Sequence, residues 1–391
     1  MGGIKIKFRL LILIVAAIAS GIVCGLFFPH WITRIFITFN SLFGNFLSFF
    51  IPLLILGLIA PGISELGNSA GKLLLITTIL AYAFTLFSGF FTYGSATLLY
   101  PFILEHSKHL ASFTQVSQLQ PYFTIDIPPL MQVMSSLVLA FVLGIGAAIT
   151  KGDSLKSLLC DLRSVINLII IKIIIPLLPI YIFGTFLDMT QAGQAGEVIG
   201  VFSKIIVLIF LITLIILLLQ FTLAGVISGR NPFKMLKTML SAYFTALGTQ
   251  SSAATIPVTF AQVEKMGVRG EIASFTVPLC ATIHLSGSTI KITACAIAIM
   301  TISAMPFTFA QMSGFIFMLG IMMIAAPGVP GGAIMAAVGI LKSILGFNET
   351  AIALMIALYI AMDSFGTACN VTGDGAIAAI IDKIYKTESK K

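Results

Sequence analysis

Charge is what this chain has least of. Only 9% of its 391 residues are Asp, Glu, Lys or Arg, against 58% that are hydrophobic, and the mean hydropathy is +1.10. A soluble core needs a polar surface to wrap it, and this composition does not supply one. Apolar runs of about twenty residues recur along the whole length, the pattern of a polytopic helical membrane protein. Cysteine is also scarce. The five present (Cys24, Cys160, Cys280, Cys295, Cys369) are odd in number and scattered, which argues against a disulfide framework or a cysteine metal site. There is no nucleotide-binding loop and no HExxH zinc-protease motif. The net charge of +8 would suit nucleic acid only if it were gathered on a soluble face. Here the cations sit at the ends of apolar runs, so no nucleic-acid partner is expected.

The apolar segments lie at about 8–28, 41–63, 73–103, 128–150, 164–187, 199–227, 270–302 and 350–382, giving eight expected spans. The first follows Lys5, Lys7 and Arg9 and has the look of a secretory leader, but no small-x-small cleavage site opens onto a polar region, so it is expected to be a retained span. With the N-terminus in the cytoplasm, Lys72, Lys151, Lys156, Arg163, Arg230, Lys234, Lys237, Lys265, Arg269 and the C-terminal lysines share one side. The positive-inside rule then places both termini in the cytoplasm.

Two further stretches do not fit as ordinary spans. Residues 238–262 are interrupted by "TQSSAAT", with cytoplasmic cations on both flanks, and residues 305–345 are broken at "APGVPGG", with both flanks outside. Backbone that leaves a helix at membrane depth is tolerated only where protein or a water-filled cavity satisfies it. Two re-entrant hairpins from opposite faces, each followed by a span carrying polar residues, read as an inverted repeat around a buried site.

Of the 14 acidic residues, Asp363 and Asp374 are expected to lie deep in a span. Charge at that depth costs at least about 2.5 kcal/mol and defaults to function. Asp363, Thr367, Asn370 and Asp374 follow a helical spacing that makes one polar stripe. A purely structural stripe would account for Thr367 and Asn370, but two carboxylates need cations. The preceding span carries "TIHLSGSTIKIT", where His284 and Lys291, seven apart, would share a face of any continuous helix. They are the natural partners of the aspartates. Enzyme readings fare poorly: the serines of "TQSSAATIP" have no base placed beside them, and an aspartyl protease would put its two aspartates on different spans. No enzyme activity is expected.

The order of "TQSSAATIPVT", "FTVPLCATIHLSGST", "APGVPGG" and "DSFGTACNVTGDGA" resembles the dicarboxylate/amino acid:cation symporters, which include the glutamate transporter homologues. The likeness is specific from about residue 230 to 383. It implies a homotrimer working as an elevator in membrane lipid. Residues 1–70 (spans 1 and 2) and 105–190 (spans 4 and 5) would be static scaffold; residues 71–104 (span 3) and 191–391 (span 6, both hairpins, spans 7 and 8) would be the moving transport domain. The resemblance also implies that Ser251 and Ser252 meet a substrate carboxylate. Gly328 and Val329, in the second hairpin's tip, would close over the substrate. Asp363 would hold its ammonium, with Thr367 and Asn370 beside it, and Asn370 and Asp374 would be two ligands of a sodium ion.

Three departures stand against that pattern. The family's unwound "NMDGT" reads "HLSGS" here, so His284 and Ser286 replace two hard oxygen donors. Cys280 replaces a glycine that supplies a carbonyl, and Lys291 takes a position normally uncharged. Lys291 or protonated His284 would then supply the positive charge balancing Asp374, with coupling to protons or none; the alternative keeps a weakened sodium site at Asn370 and Asp374. The arginine that pairs a substrate's second carboxylate is Gly366 here, and the alternative arginine position is Gln250. This favours a neutral amino acid, with glutamate, aspartate or a dicarboxylate as the alternative. A channel or sensor on the same scaffold is the competing class. The expected location is the cytoplasmic membrane.

Overall fold

The computed structural model describes residues 2–68, 72–104, 119–150, 153–193, 195–326 and 331–388. Among them every regular element is a helix. The first seven are α1 (Gly2–Gly25), α2 (His30–Asn68), α3 (Lys72–Ile103), α4 (Val133–Ile149), α5 (Asp153–Ile169), α6 (Ile175–Gln191) and α7 (Ala195–Ser228), with a π turn (Ile170–Ile174) joining α5 to α6. The second half contains α8 (Pro232–Thr249), α9 (Ser252–Lys265), α10 (Gly270–Ile283), α11 (Ser286–Ile302), α12 (Phe309–Ala325), α13 (Gly332–Ser343), α14 (Glu349–Ala361) and α15 (Asp363–Glu388).

By length and composition five helical stretches can cross a membrane: His30–Ser64, Leu73–Ile103, Asp153–Gln191, Val198–Ser228 and Gly270–Ile302. A sixth is the bent pair Glu349–Ala361 and Asp363–Tyr385 if it counts as one. The expected first and fourth spans contain the shorter apolar stretches Ile12–Gly25 and Ser135–Ile149. Outward faces of the early helices carry Leu13, Val142, Leu168 and Leu214 exposed, an apolar girdle suited to lipid rather than water.

Local chemistry explains why the second half breaks into short helices. Asn231 caps α8 by accepting from the Lys234 N–H, with Pro232 in the first helical position, where its missing N–H costs nothing. The helix stops at Gln250, a non-glycine residue at φ 51°. Ser251 then caps α9 by accepting from the Ala254 N–H. Helices α8 and α9 pack on each other, as do α12 and α13, which makes two hairpins where the sequence predicts them. The tip residues Gly328 and Val329 lie outside the described residues.

The 270–302 segment breaks at His284 and Leu285, both with non-helical backbone, within the stretch that the resemblance aligns with an unwound segment. One expectation needs correction. The last segment is bent by 62° at Met362, so Asp363 opens a new helix instead of lying within a straight one.

Packing centres on α11 and α15, which touch each other and are wrapped by α3, α7, α8, α9, α10 and α14. Almost every residue of α11, α13 and α14 is buried. Helix α1 packs on α6, and α2 packs on α4, α5 and α6.

Candidate functional site

In its first half and middle, helix α15 carries two separate buried carboxylate contacts, one with a lysine and one with a histidine. At its first residue, Asp363 Oδ1 lies 3.0 Å from Lys291 Nζ, with the lysine 1% and the aspartate 8% exposed. The other carboxylate oxygen accepts from the Gly331 N–H at the end of the second hairpin's tip, at 3.3 Å. The first hairpin arrives at the same turn, where Gln250 Nε2 donates to Ser364 Oγ at 2.8 Å. Lys291 Nζ also stands 3.6 Å over the Tyr359 ring, a favourable place for a desolvated cation. The Tyr359 hydroxyl bonds Ser288 Oγ at 2.9 Å. The Thr367 hydroxyl donates to the Asp363 main-chain oxygen at 2.9 Å.

The second pair lies about three turns further along α15. His284 Nδ1 is 2.9 Å from Asp374 Oδ1, and His284 Nε2 is 2.6 Å from Ser286 Oγ. Gln220 Nε2 donates to Ser286 Oγ at 3.2 Å and, more weakly, to Ser88 Oγ at 3.5 Å. Four helices therefore meet through one chain of hydrogen bonds: α3, α7, α15 and the broken α10–α11 segment. With a neutral imidazole, Gln220 donates to Ser286, Ser286 to His284 Nε2, and His284 Nδ1–H to Asp374. A proton added at Nε2 makes both ring nitrogens donors, so the Ser286 hydroxyl hydrogen must turn away. The arrangement can hold one extra proton beside a carboxylate without exposing either group to water.

The oxygens that would ligate a sodium ion are already engaged. Asn370 Oδ1 accepts from the Gly287 N–H at 2.7 Å, satisfying a donor left free by the break before α11. Asp374 Oδ1 faces His284. The Cys280 carbonyl accepts from the His284 N–H. Among the described residues no three His, Cys, Asp or Glu side chains gather as a metal site. A hard cation takes several oxygens, and Asn370 Oδ1 and Asp374 Oδ1 would each have to share or give up a hydrogen-bond partner to serve one.

Comparison with known proteins bears on the whole chain. Residues 10–384 match the sodium:dicarboxylate symporter family. The chain belongs to this family. A serine/threonine transporter SstT from Acinetobacter baumannii is 26% identical over 390 residues, covering 94% of this chain and 95% of that protein. Mouse excitatory amino acid transporter 4 is 32% identical over 164 residues, 42% of this chain and 29% of its own length. Human excitatory amino acid transporter 1 is 31% identical over 166 residues, 42% of this chain and 30% of its own. The matched part thus spans less than a third of each mammalian carrier. By that match and its apolar helices, the chain is a multi-pass membrane protein of the sodium:dicarboxylate symporter family.

The structure brings Asp363, Lys291, Ser288, Asn370 and Thr367 together at one level of α15, and Asp374, His284 and Ser286 at the next. One pairing differs from expectation. Lys291 meets Asp363, not Asp374, and His284 meets Asp374. Ser251 lies in the first hairpin's tip beside Gln250 and caps α9, and Ser252 follows it half-buried. Three residues escaped the sequence reading: Gln220, Tyr359 and Ser364. Gln220 had a usable signal, as a lone amide deep in the apolar run 199–227.

Proposed function

We propose that this protein is a secondary active symporter of the cytoplasmic membrane that carries a small carboxylate-bearing solute, coupled to protons through the His284–Asp374 pair. The observation that carries the coupling is the 2.9 Å contact between two fully buried titratable groups. Imidazole is the side chain whose charge changes most readily near physiological pH. A proton taken up from one side at His284 and Asp374 and released on the other would do the work that a sodium ion does elsewhere in the family.

The eight-span, two-hairpin topology with cytoplasmic termini, the homotrimer, and the elevator division belong to the same reading. In that division residues 1–70 and 105–190 stay fixed while residues 71–104 and 191–391 move. Its support is that α1 packs most on α6 and α2 most on α4, while α11 and α15 are surrounded by α3, α7, α8, α9, α10 and α14. Helix α2 meets the second hairpin's α12 and α13, and α14 meets α1 and α6, where the two sets would slide. The serine/threonine transporter relative points, like Gly366 and Gln250, to a neutral amino acid. That substrate requires Asp363 to be free for an ammonium group, and Lys291 occupies it here; the proposal is therefore a carboxylate-bearing solute.

The experiment is solute uptake into proteoliposomes at fixed pH with sodium fully replaced by potassium, and then with an imposed inward proton gradient. Concentrative uptake that follows the proton gradient without sodium supports the proposal. A strict sodium requirement at fixed pH defeats the proton coupling, and binding without concentrative uptake under either gradient favours a channel or sensor.

A further inference from the structure

We infer that Lys291 is a tethered cation occupying the ammonium position at Asp363, so that the site admits organic carboxylates without an amino group and rejects amino acids. This rests on the transport reading above for the location of the site, but not on which ion drives transport.

Position comes first. Asp363 is where both hairpins converge, through the Gly331 N–H and through Gln250 and Ser364. The N-termini of α9, α11, α13 and α15 all lie around this turn: Ser251 beside Gln250 caps α9, Gly331 precedes α13, and Gly287 of α11 lies against Gly366 in the first turn of α15. Each helix start carries a partial positive charge, and the Gly287 and Gly331 N–H groups already serve Asn370 and Asp363. Such an enclosure already favours an anion, and Asp363 is the one group in it that would call for a cation.

That cation is built in. Lys291 Nζ bonds Asp363 Oδ1 and lies over Tyr359. Residue 366 is a glycine, and a Cβ there would run into Lys291 Cε and Nζ, so the space beside α15 is shaped to the lysine side chain. An incoming amine would have to displace an ammonium that has no other acidic partner among the described residues, stranding a buried charge. A carboxylate faces no such cost. Lys291 has three N–H donors and spends one on Asp363, so it can accept an anion while the pair stays intact.

The test uses equilibrium binding to the purified full-length protein with ligand pairs that differ only in amine against hydroxyl: alanine and lactate, serine and glycerate, aspartate and malate. The wild type is expected to prefer the hydroxy acid of at least one pair by about 100-fold, the scale of an unpaired buried charge. Lys291→Met should reverse that preference by freeing Asp363 for an amine. The double variant Lys291→Met/Asp363→Asn leaves no buried charge unpaired, guards against loss of folding, and should bind neither amino acid. Wild type that binds the amino acid of a pair as tightly as the hydroxy acid overturns the inference, as does failure of every pair to bind. Selective binding without uptake would sink the symport reading and leave this one standing.

Discussion

Gly366 and Lys291 fill one volume from two helices. A Cβ at residue 366 would overlap the end of the Lys291 side chain, and that side chain is held at 3.0 Å from Asp363. Gly366→Ala should therefore expel the lysine from its partner and lower stability by about 1 to 3 kcal/mol, as overpacking does. The same change in a Lys291→Ala background should cost little. Thermal unfolding of the four proteins in a double-mutant cycle measures the coupling, and additive losses would mean that the two residues do not share the space.

The Lys291–Asp363 pair should behave as a unit. Either single neutralisation, Lys291→Met or Asp363→Asn, leaves a buried charge without its partner and is expected to cost about 3 to 5 kcal/mol. The double neutral variant should unfold closer to wild type than either single one. Equal destabilisation by all three would assign the residues separate roles.

At the base of the first hairpin, Asp382 accepts from Arg230 at 2.7 Å and from Arg269 at 2.8 Å, tying α7's end and the α9–α10 turn to α15. Asp382→Asn is expected to lower stability by about 2 kcal/mol, less than for a fully buried pair because both arginines reach solvent. Ligand binding at Asp363 should be unchanged, and a binding titration on the variant checks this.

Lys342, at the end of α13, bonds Ser48 of α2 at 2.8 Å and Glu349 of α14 at 2.6 Å. In the elevator division Ser48 is static and Lys342 moves. A bifunctional cross-link through a Ser48→Cys/Lys342→Cys pair should therefore stop uptake while leaving ligand binding intact. Uptake at the uncross-linked rate would rule out relative movement of these helices.

Much of this was legible in the primary sequence because membranes impose strong rules. Apolar runs marked the long helices, and the polar interruption at Gln250 and Ser251, with cations on both flanks, marked a hairpin; Ser251 turned out to cap α9 there. Deep aspartates marked α15 because lipid penalises charge. What could not be read was pairing. Helical spacing put His284 and Lys291 on one face and Asp363 and Asp374 on another, but did not say which cation meets which carboxylate; the structure pairs His284 with Asp374 and Lys291 with Asp363. The break at His284–Leu285 is held by Asn370, which satisfies the Gly287 N–H from another helix, a tertiary contact that no local pattern specifies. Tyr359 was missed for a similar reason: an aromatic in an apolar run looks like core until a cation is found on its face.

The most direct measurement is proton movement itself. Sodium-free proteoliposomes loaded with a pH-sensitive dye would be given the solutes of the matched pairs, wild type beside His284→Asn. Internal acidification that accompanies solute uptake in the wild type, and is lost in the variant, is the expected result. Uptake with no acidification, or acidification that persists unchanged in His284→Asn, would contradict proton coupling through the buried histidine and aspartate.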